Sequence, residues 1–528
     1  MALDPKQLPD DPRILREIVL DLIQQLDRAS AEKTKIETLL RELLDAKRLR
    51  RSEQLSPEQL ALFEIALQAR FPGLTPEAEG PGAEPEAGAA EETGEPNGDQ
   101  GDTGNQKKKR GGRSPLSREV KRERIVHDLA EPEKHCKQCN RDLRHIGEET
   151  SERYEYIPAS LMVVEDACLK YACDCTVRTA GKPPQPIEKS TAGASVLAQV
   201  IVSKFADHLP LHRQEQIFER HGVNLSRKTM GGWMGQCAEL LSPLYKSLKN
   251  YLFESKVLGT DDTSVKVLDP NLDHARTGRF WPYCGDKHHP GIIYDYTSTR
   301  EGIGPKTFLE TFRGFLQADA YAGYEVLFKD PERGLTEVGC WAHARRHFHD
   351  ALESDEPHLG PVMALIARLY SVESRARSLS PQDRLQLRQF HSRSIMETLH
   401  GYLLDLRKEL LPKSAAAKAV NYTLNQWSAL TRYLEDGDLE IDNNATERSI
   451  RGIAVGRHNW LFVGSDSAGR TAAVLRSFVA TCKLIKIDPY VWFQDVLSRI
   501  ASHTITRIEE LLPHNWAAAR AAKLAASV

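Results

Sequence analysis

The chain has 528 residues, of which 40% are hydrophobic and 27% charged, and its formal net charge is −3. A chain of this length predicts roughly three or four structural units. No apolar stretch approaches the roughly 18 residues of a membrane helix, and the opening MALDPKQLPDD lacks the features of a signal peptide. These features exclude a membrane protein and predict a cytoplasmic chain.

The first predicted element is a helix over residues 13–50 with a seven-residue repeat. One repeat position carries Leu15, Leu22, Ala29, Ile36 and Leu43, and its partner position carries Ile18, Gln25, Glu32, Leu39 and Ala46. This pattern predicts a short coiled coil for self-association, with an amphipathic helix packed on its own chain as the alternative. A shorter helix follows in RRSEQLSPEQLALFEIALQARFPG and ends at Pro72 and Gly73.

Charge is segregated in the next segment. Residues 72–106 hold nine acidic side chains and no basic ones, whereas KKKRGGRSPLSREVKRER, which follows, holds nine Lys or Arg against two Glu. The acidic part is rich in Gly, Pro and Glu and predicts a disordered spacer. An acidic spacer beside a basic arm indicates a nucleic-acid partner, and a solvated linker is the alternative.

Clustered cysteines come next. Cys136 and Cys139 in HCKQCNRDL have a C-x-x-C spacing, which lets two thiolates reach one tetrahedral ion, and Cys173 and Cys175 in YACDC complete a four-sulfur site. The predicted ion is structural zinc, since an odd total of nine cysteines argues against a disulfide framework. The tight C-x-C pair leaves substitute ligands open, namely Cys168, His135 and His145. Reduced cysteines without a metal are the alternative.

The stretch LPLHRQEQIFERHGVNLSRKTMGGWM has a helix-turn-helix pattern. A first helix is predicted to end near His221, a turn to fall at Gly222, and a second helix to open at Ser226. Ser226 would cap that helix and leave Arg227 and Lys228 exposed on its first turn, where base or phosphate contacts form. An ordinary helical hairpin gives the same pattern.

Strand-like runs from KVLGTDDTSVKVL to TEVGCWA surround three acids of interest. Asp261 and Asp319 lie at such runs, and Glu447 lies on the helix-like DNNATERSIRGIAV. Acids on neighbouring strands and a nearby helix can hold two magnesium ions about 4 Å apart, which clamp the oxygens of a phosphodiester. Ordinary structural carboxylates are the alternative. The helix-like sequence of about 350–435 predicts a helical insertion in an α/β domain.

FVGSDSAGRTAA fits the spacing of a phosphate-binding loop, with Arg470 in the place of lysine. The preceding NWLFV would be its strand and TAAVLRSFVATCKL its helix. Only 57 residues follow Thr471, too few for the sheet of a nucleotide-binding domain, and arginine lacks the compact charge of lysine. The match is therefore interpreted as fortuitous: the loop turns the chain or contacts DNA phosphates.

The segment HARRH places His343 and His347 one helical turn apart, as in zinc proteases, but the general-base Glu is absent. Arg345 and Arg346 between them fit phosphate contacts, and a solvated basic helix is an equal interpretation.

From about residue 13 to 515, the chain resembles transposases of the insertion sequence 66 family. The resemblance lies in these stretches, in this order: RRSEQL with LALFE, HCKQCNRDL with YACDC, TDDTSVKVL, QADAYAGY, GCWAHARRHF, IDNNATERSIRGIAVGRHNWLFVGSDSAGR and DPYVWFQDVLSRI with LLPHNW. It implies a ribonuclease H-like catalytic domain whose acidic triad is Asp261, Asp319 and Glu447. The family usually has Asp-Glu-Thr-Pro at the first acid, where this chain has Asp261-Asp262-Thr263-Ser264. Asp262 is therefore a rival acid, predicted by strand alternation to point to the other face.

The resemblance further implies a DNA transposase that cuts and joins the ends of its own element with Mg²⁺ or Mn²⁺. Near the third acid, Arg448, Arg451 and Arg457 are candidates for holding phosphates. Self-association through the coiled coil, small accessory proteins encoded beside the gene, and a bacterial, nucleoid-associated location are also expected. A catalytically silent DNA-binding relative with zinc and helix-turn-helix modules is the alternative function.

The predicted fold class is multidomain α/β: a ribonuclease H-like domain with a helical insertion, preceded by a coiled coil, a zinc-binding module and a helix-turn-helix-like region. The predicted domains are a coiled-coil region (1–71), a linker (72–118), a zinc-binding domain (119–186), a helical DNA-binding region (187–254), the catalytic domain (255–500) and a C-terminal tail (501–528).

Overall fold

A computed structural model of the chain describes residues 55–72, 161–166, 170–173, 176–179, 184–188, 190–269 and 271–526. The chain divides into two compact units, one formed by Met1–Ala90 with Cys168–Val528 and the other by Glu91–Ala167. Nearly all described residues belong to the first unit, which is a mixed α/β structure. Within the described ranges, no helix is long and apolar enough to cross a membrane.

The first unit has a six-stranded mixed sheet at its centre and a separate two-stranded antiparallel hairpin. The hairpin strands are β1 (Lys170–Cys173) and β2 (Thr176–Thr179). The strands of the main sheet are β3 (Val257–Thr260), β4 (Thr263–Val267), β5 (Arg276–Cys284), β6 (Ile292–Thr297), β7 (Gly314–Gln317) and β8 (Leu335–Val338). In the main sheet, β5 pairs antiparallel with β3, β4 and β6, whereas β7 and β8 continue the sheet parallel to β3.

β3 and β4 are two parts of one interrupted strand. Both pair with β5 in one register, in which Thr260 lies opposite Tyr283 and Thr263 opposite Phe280. In this register Pro282, which has no N–H to donate, falls opposite Asp261. The prediction of one strand-like run through VLGTDDTSVKVL is therefore wrong at positions 261–262, where the backbone leaves the ladder.

Helices surround the sheet. They are α1 (Pro57–Arg70), α2 (Ala194–Phe205), α3 (Leu211–Arg220), α4 (Arg227–Leu240), α5 (Ser242–Phe253), α6 (Ile303–Phe308), α7 (Ala322–Phe328), α8 (Trp341–Ala351), α9 (Glu356–Ala376), α10 (Pro381–Leu387), α11 (Arg393–Glu409), α12 (Ala415–Asn425), α13 (Trp427–Thr431), α14 (Asn444–Trp460), α15 (Asp466–Leu484), α16 (Pro489–Arg499) and α17 (Pro513–Ala526).

One hydrophobic core joins the sheet to α2–α5, α15 and α16. Helix α15 lies along the edge strand β6, where Ser477 Oγ accepts the N–H of Tyr294 at 2.8 Å and Thr481 Oγ1 accepts that of Ile292 at 3.1 Å. These two hydroxyl groups are one helical turn apart and satisfy the outer edge of β6, which would otherwise expose unpaired backbone groups.

A second core lies among the helices between β8 and α14. The prediction of helices over about 350–435 is confirmed, although the first of them begins at Trp341. Helix α1 packs on α9: the Arg368 guanidinium donates to both carboxylate oxygens of Glu64, at 3.0 and 2.7 Å, and Phe63 lies against Gly360. Helix α1 is thus part of this helical layer.

Local helix predictions agree with the structure at the helix-turn-helix pattern. Helix α3 ends at Arg220, Gly222 has a φ of +76°, and Ser226 caps α4 by accepting the N–H of Thr229. The C-terminal residues are largely helical, and the buried Trp516 donates its indole N–H to Asp495 Oδ2 at 2.7 Å.

Several sequence-based predictions lie outside the described residues. They are the heptad helix of 13–50, the linker, and the zinc-ligand candidates Cys136, Cys139, Cys168, Cys175, His135 and His145. Only the backbone of Cys173 is described, at the end of β1 and opposite Thr176.

Candidate active site

Asp261 occupies the interruption between β3 and β4, at the carboxyl end of β3. Two residues earlier, a Cβ atom on Gly259 would collide with Thr446 Oγ1 and come within 3.0 Å of Asn443 Oδ1. Asn443 also donates a hydrogen bond of 2.8 Å from Nδ2 to the carbonyl of Thr260. Because position 259 has no side chain, the start of α14 can lie directly against β3, next to Asp261.

Asp319 follows the neighbouring strand by two residues. β3 and β7 run parallel, with Gly259 opposite Gln317, so their carboxyl ends meet at the same edge of the sheet. One carboxylate oxygen from each of Asp261, Asp262 and Asp319 lies within 4.8 Å of the other two. The first two predicted acids, 58 residues apart in the sequence, are therefore neighbours in the fold.

Glu447 lies in the first turn of α14, where an acidic side chain interacts favourably with the helix dipole. Its amide donates to the carbonyl of the N-cap residue Asn443 at 3.0 Å. The N–H of Asn443 in turn donates to Cys340 Sγ, at the start of α8, over 3.2 Å. This cap links α14 to both β3 and α8.

His343, in the first turn of α8, lies beside Glu447. Its Nδ1 atom is 3.7 Å from Glu447 Oε1, and single ligand atoms of Cys340, His343 and Glu447 all lie within 4.8 Å of one another. Atoms that can bind a metal therefore form two groups at this edge of the sheet, one around Asp261 and Asp319 and one around Glu447.

The two groups are electrostatically coupled. Burial, together with the negative charges of Asp319 and Glu447, raises the pKa of Asp261 to about 7, although a backbone hydrogen bond from Asp262 opposes the rise. Burial also raises the pKa of Asp319, although the nearby His343 partly opposes this rise. These directions require the three acids and the imidazole to lie within electrostatic reach of one another.

The acids present oxygen atoms without partners. Oδ1 of Asp319 and Oε1 of Glu447 are buried and accept no hydrogen bond from any described residue. Buried carboxylates that share a site are unfavourable unless they take up a proton or a cation. Carboxylate oxygens are the ligands that Mg²⁺ and Mn²⁺ prefer, so the residues present fit a divalent cation.

Asp262 has a different environment from Asp261. Its side chain is 2% exposed and forms ion pairs of 2.7 Å with both Arg279 and Arg300. The prediction that Asp262 points to the opposite face is wrong, because one of its oxygens is grouped with those of Asp261 and Asp319. The interrupted strand removes the alternation on which that prediction depended. Since two guanidinium groups already neutralise Asp262, it is less suited than Asp261 to bind a cation.

The predicted DNA-contact residues on α4 and α8 differ in exposure. Arg227 and Lys228 are exposed on the first turn of α4, whose N-cap is Ser226. Arg345 and Arg346 are half-buried on α8, in the turn that also carries His343. Only the first pair is fully open to an approaching duplex.

Those on α14 also differ in exposure. Arg448 and Arg451 are exposed, in the turns that follow Glu447, whereas Arg457 is half-buried. Arg457 donates from Nη1 to Thr263 Oγ1 at 3.2 Å and to the Ser264 carbonyl at 2.9 Å. Part of its donor capacity therefore holds α14 against β4.

The FVGSDSAGR stretch does not have the strand that its pattern suggested. The start of NWLFV ends α14, Leu461 and Phe462 are exposed, and only Val463 forms a bridge, to Val267 of β4. Helix α15 already begins at Asp466, so Gly469 and Arg470 lie inside a helix rather than in a loop. A Cβ on Gly469 would collide with the Tyr296 ring, so this glycine serves packing between α15 and β6.

Sequence reasoning missed several groups at the site. The partners of Asp262, Arg279 and Arg300, carry no local signal because they come from distant positions. The sequence does mark His343 through the C-x-x-H spacing that starts at Cys340, but the comparison with zinc proteases uses only the spacing between His343 and His347. The role of Asn443 at the junction of three elements is likewise visible only in the fold.

Comparisons with known proteins give a family for this chain. Residues 189–471 match the sequence model described as "Transposase IS66 family", residues 477–514 match "IS66 C-terminal element", and residues 133–176 match "zinc-finger binding domain of transposase IS66". The first match spans the sheet, the intervening helices and all three acids. The third spans both cysteine pairs.

Similar whole chains come from Sinorhizobium fredii (strain NBRC 101917 / NGR234). "Uncharacterized protein y4jD" is 36% identical over 407 residues, which cover 74% of this chain and 80% of that protein. "Uncharacterized protein y4hP" is 33% identical over 439 residues, which cover 79% of each chain.

Proposed function

The chain belongs to the IS66 transposase family, and from this premise we propose that it cuts and joins the ends of its own insertion sequence at a site formed by Asp261, Asp319 and Glu447. The observation that carries this proposal is the convergence of Asp261, Asp319 and Glu447 at one edge of the sheet, where the charges of the other two acids help to raise the pKa of Asp261. The catalytic domain is proposed to be ribonuclease H-like, in keeping with a mixed sheet whose parallel strands β3 and β7 each lead to one acid.

The three acids would hold divalent cations, either Mg²⁺ or Mn²⁺. When bound, such cations supply the Lewis acidity that activates a water or a 3′-hydroxyl group and offsets the charge of the phosphodiester. Asp261 and Asp319 would provide oxygens from the strands, and Glu447 from α14. The fixed backbone at both strand ends would orient these carboxylates and, through them, the reacting groups.

Cleavage would leave a 3′-hydroxyl group, which the same site would direct at target DNA. Arg448 and Arg451, exposed beyond Glu447, are proposed to hold backbone phosphates near the acids, and Arg345, Arg346 and Arg457 to contribute where their other contacts allow. No covalent enzyme intermediate is needed, since positioning and charge neutralisation supply the catalysis.

Recognition of the element ends is assigned to the parts before the sheet. Helices α3 and α4 present Arg227 and Lys228 as a helix-turn-helix does. The zinc-finger domain is proposed to bind zinc through Cys136, Cys139, Cys173 and Cys175. Subunits are proposed to pair through the heptad helix of 13–50, and small accessory proteins are expected to take part. The other proposed domains are the linker 72–118, the zinc-binding domain 119–186, the DNA-binding region 187–254 and the catalytic domain 255–500.

The test is nicking of a duplex that carries the element end. Wild-type protein is expected to nick it in the presence of Mg²⁺ or Mn²⁺, whereas Asp319→Asn binds the duplex with unchanged affinity but does not nick it. A catalytically silent DNA-binding protein would bind the duplex in a gel-shift assay and nick it in neither form. That result, or equal nicking by both proteins, would contradict the proposal.

A further inference from the structure

His343 is a half-buried residue at the site that the acidic triad does not include. Helix α8 starts three residues after β8, so its first turn reaches the same edge of the sheet as Asp261 and Asp319. His343 Nδ1 lies 3.7 Å from Glu447 Oε1, which is too long for a hydrogen bond. Both atoms are buried, and neither has a hydrogen-bond partner among the described residues.

Two unpartnered ligand atoms that face each other over this distance suit a shared cation. A cation about 2.1 Å from each of two ligand atoms separates them by about 3.0 Å in adjacent octahedral positions and by about 4.2 Å in opposite ones. The observed 3.7 Å lies between these values, so a shift of well under 1 Å would complete either geometry.

The third member of this group already has another contact. Cys340 Sγ accepts the N–H of Asn443 at 3.2 Å, which serves to hold the start of α14. The imidazole of His343 has no such structural task, and it also lies within electrostatic reach of Asp319. The ring therefore lies near both the second and the third acid, with its Nδ1 atom 3.7 Å from an oxygen of the third.

We propose that His343 binds, through Nδ1, the same divalent cation as Glu447. This inference rests on the proposed function, because it assigns a nitrogen ligand to one of the cations of that site. Both Mg²⁺ and Mn²⁺ prefer oxygen ligands, but Mn²⁺, as a first-row transition metal, accepts an imidazole nitrogen more readily than Mg²⁺ does. The cation position at Glu447 consequently favours Mn²⁺ over Mg²⁺, and the position at Asp261 and Asp319 is an all-oxygen one.

The inference is tested by pulsed electron paramagnetic resonance on the full chain loaded with Mn²⁺. Electron spin echo modulation from directly bound ¹⁴N is expected in the wild type and lost in His343→Gln. The matched control is His347→Gln, one helical turn along α8, where the ring packs on Tyr422 with centroids 4.3 Å apart. This control should retain the nitrogen signal.

Affinities give a second measurement. His343→Gln should bind Mn²⁺ at least about tenfold more weakly than the wild type, while its affinity for Mg²⁺ changes by less than about threefold. Wild-type protein that binds Mn²⁺ without nitrogen modulation overturns the inference even if His343→Gln fails to fold, and so does a signal that persists in His343→Gln.

Failure of the inference is distinguishable from failure of the proposed function. If nicking depends on Asp319 but no nitrogen signal is seen, the assignment of His343 as a cation ligand is contradicted and the proposed function stands. A nitrogen signal lost in His343→Gln, in a protein that does not nick DNA, supports the ligand and contradicts the proposed function.

Discussion

Asn443 donates a hydrogen bond of 2.8 Å from its side-chain amide to the carbonyl of Thr260, the residue before Asp261. The same residue stands at the N-cap position of α14, where its carbonyl accepts the N–H of Glu447 at 3.0 Å. One buried side chain therefore fixes the first turn of α14 against the end of β3, and with it the position of the third acid relative to the first.

Asn443→Ala should disturb both stability and cleavage. It leaves the Thr260 carbonyl without its partner in a buried setting, which costs about 1–3 kcal/mol of unfolding free energy. A displacement of Glu447 by about 1 Å would slow nicking by about 10²-fold. Asn444→Ala, which loses only a half-buried contact to Asp442, should change the unfolding free energy by less than about 0.5 kcal/mol. Equal denaturant midpoints for the two variants would count against this role of Asn443.

Gly259→Ala should push the start of α14 away from β3. The new methyl group would collide with Thr446 Oγ1, and overpacking of this kind costs about 1–3 kcal/mol. Removing the obstructing atom in Gly259→Ala/Thr446→Ala should restore part of the lost stability and of the nicking rate. Gly401→Ala is the control: its Cβ meets no atom within 4 Å on helix α11, so chemical denaturation should show no loss. A double variant no better than the single one would argue against close packing here.

The parts of this structure that sequence could predict are those set by neighbouring residues. Ser226 and Gly222 mark a helix start and a turn through their own chemistry, and both predictions hold. The break at Asp261 depends on Pro282 in another strand, so local alternation misassigned Asp262. NWLFV was interpreted as a strand because it is apolar, yet Leu461 and Phe462 are 64% and 45% exposed beyond the end of a helix.

The site shows the same division. Acids at strand-like runs and on a nearby helix predict one shared site, and the resemblance to a family selected the three. The ion-pair partners of the neighbouring Asp262, Arg279 and Arg300, come instead from other strands and loops. No spacing rule links such residues, so only the fold reveals which carboxylates are already neutralised.

Stability in magnesium-free buffer should fall as the pH rises. The pKa of Asp261 is raised in the fold from 3.8 to about 7. The folded protein therefore holds this proton more tightly than the unfolded chain, so the contribution is present below about pH 4 and is lost as the pH rises through 7. Asp261→Asn should remove a pH-dependent part on the order of 2–4 kcal/mol. Unfolding midpoints at pH 5.5 and 8 measure this, and an unchanged slope in Asp261→Asn would contradict the assignment.

Asp262→Asn and Asp261→Asn should have opposite effects on stability and on nicking. Asp262→Asn weakens ion pairs with two arginines and should lower stability by about 1–3 kcal/mol, while nicking stays within about tenfold of the wild type. Asp261→Asn should fold at least as stably at pH 8 but lose nicking. The reverse pattern would make Asp262 the first acid of the triad.

The most direct measurement of the central claim is the initial rate of magnesium-dependent nicking of an element-end duplex by Asp261→Asn, Asp319→Asn and Glu447→Gln. Removal of a group that holds a catalytic cation costs several kcal/mol in the transition state, so each variant should be slower by at least about 10³-fold. All three should still shift the duplex in a gel with wild-type affinity. A wild-type rate in any one of them would show that the three carboxylates do not act on DNA together.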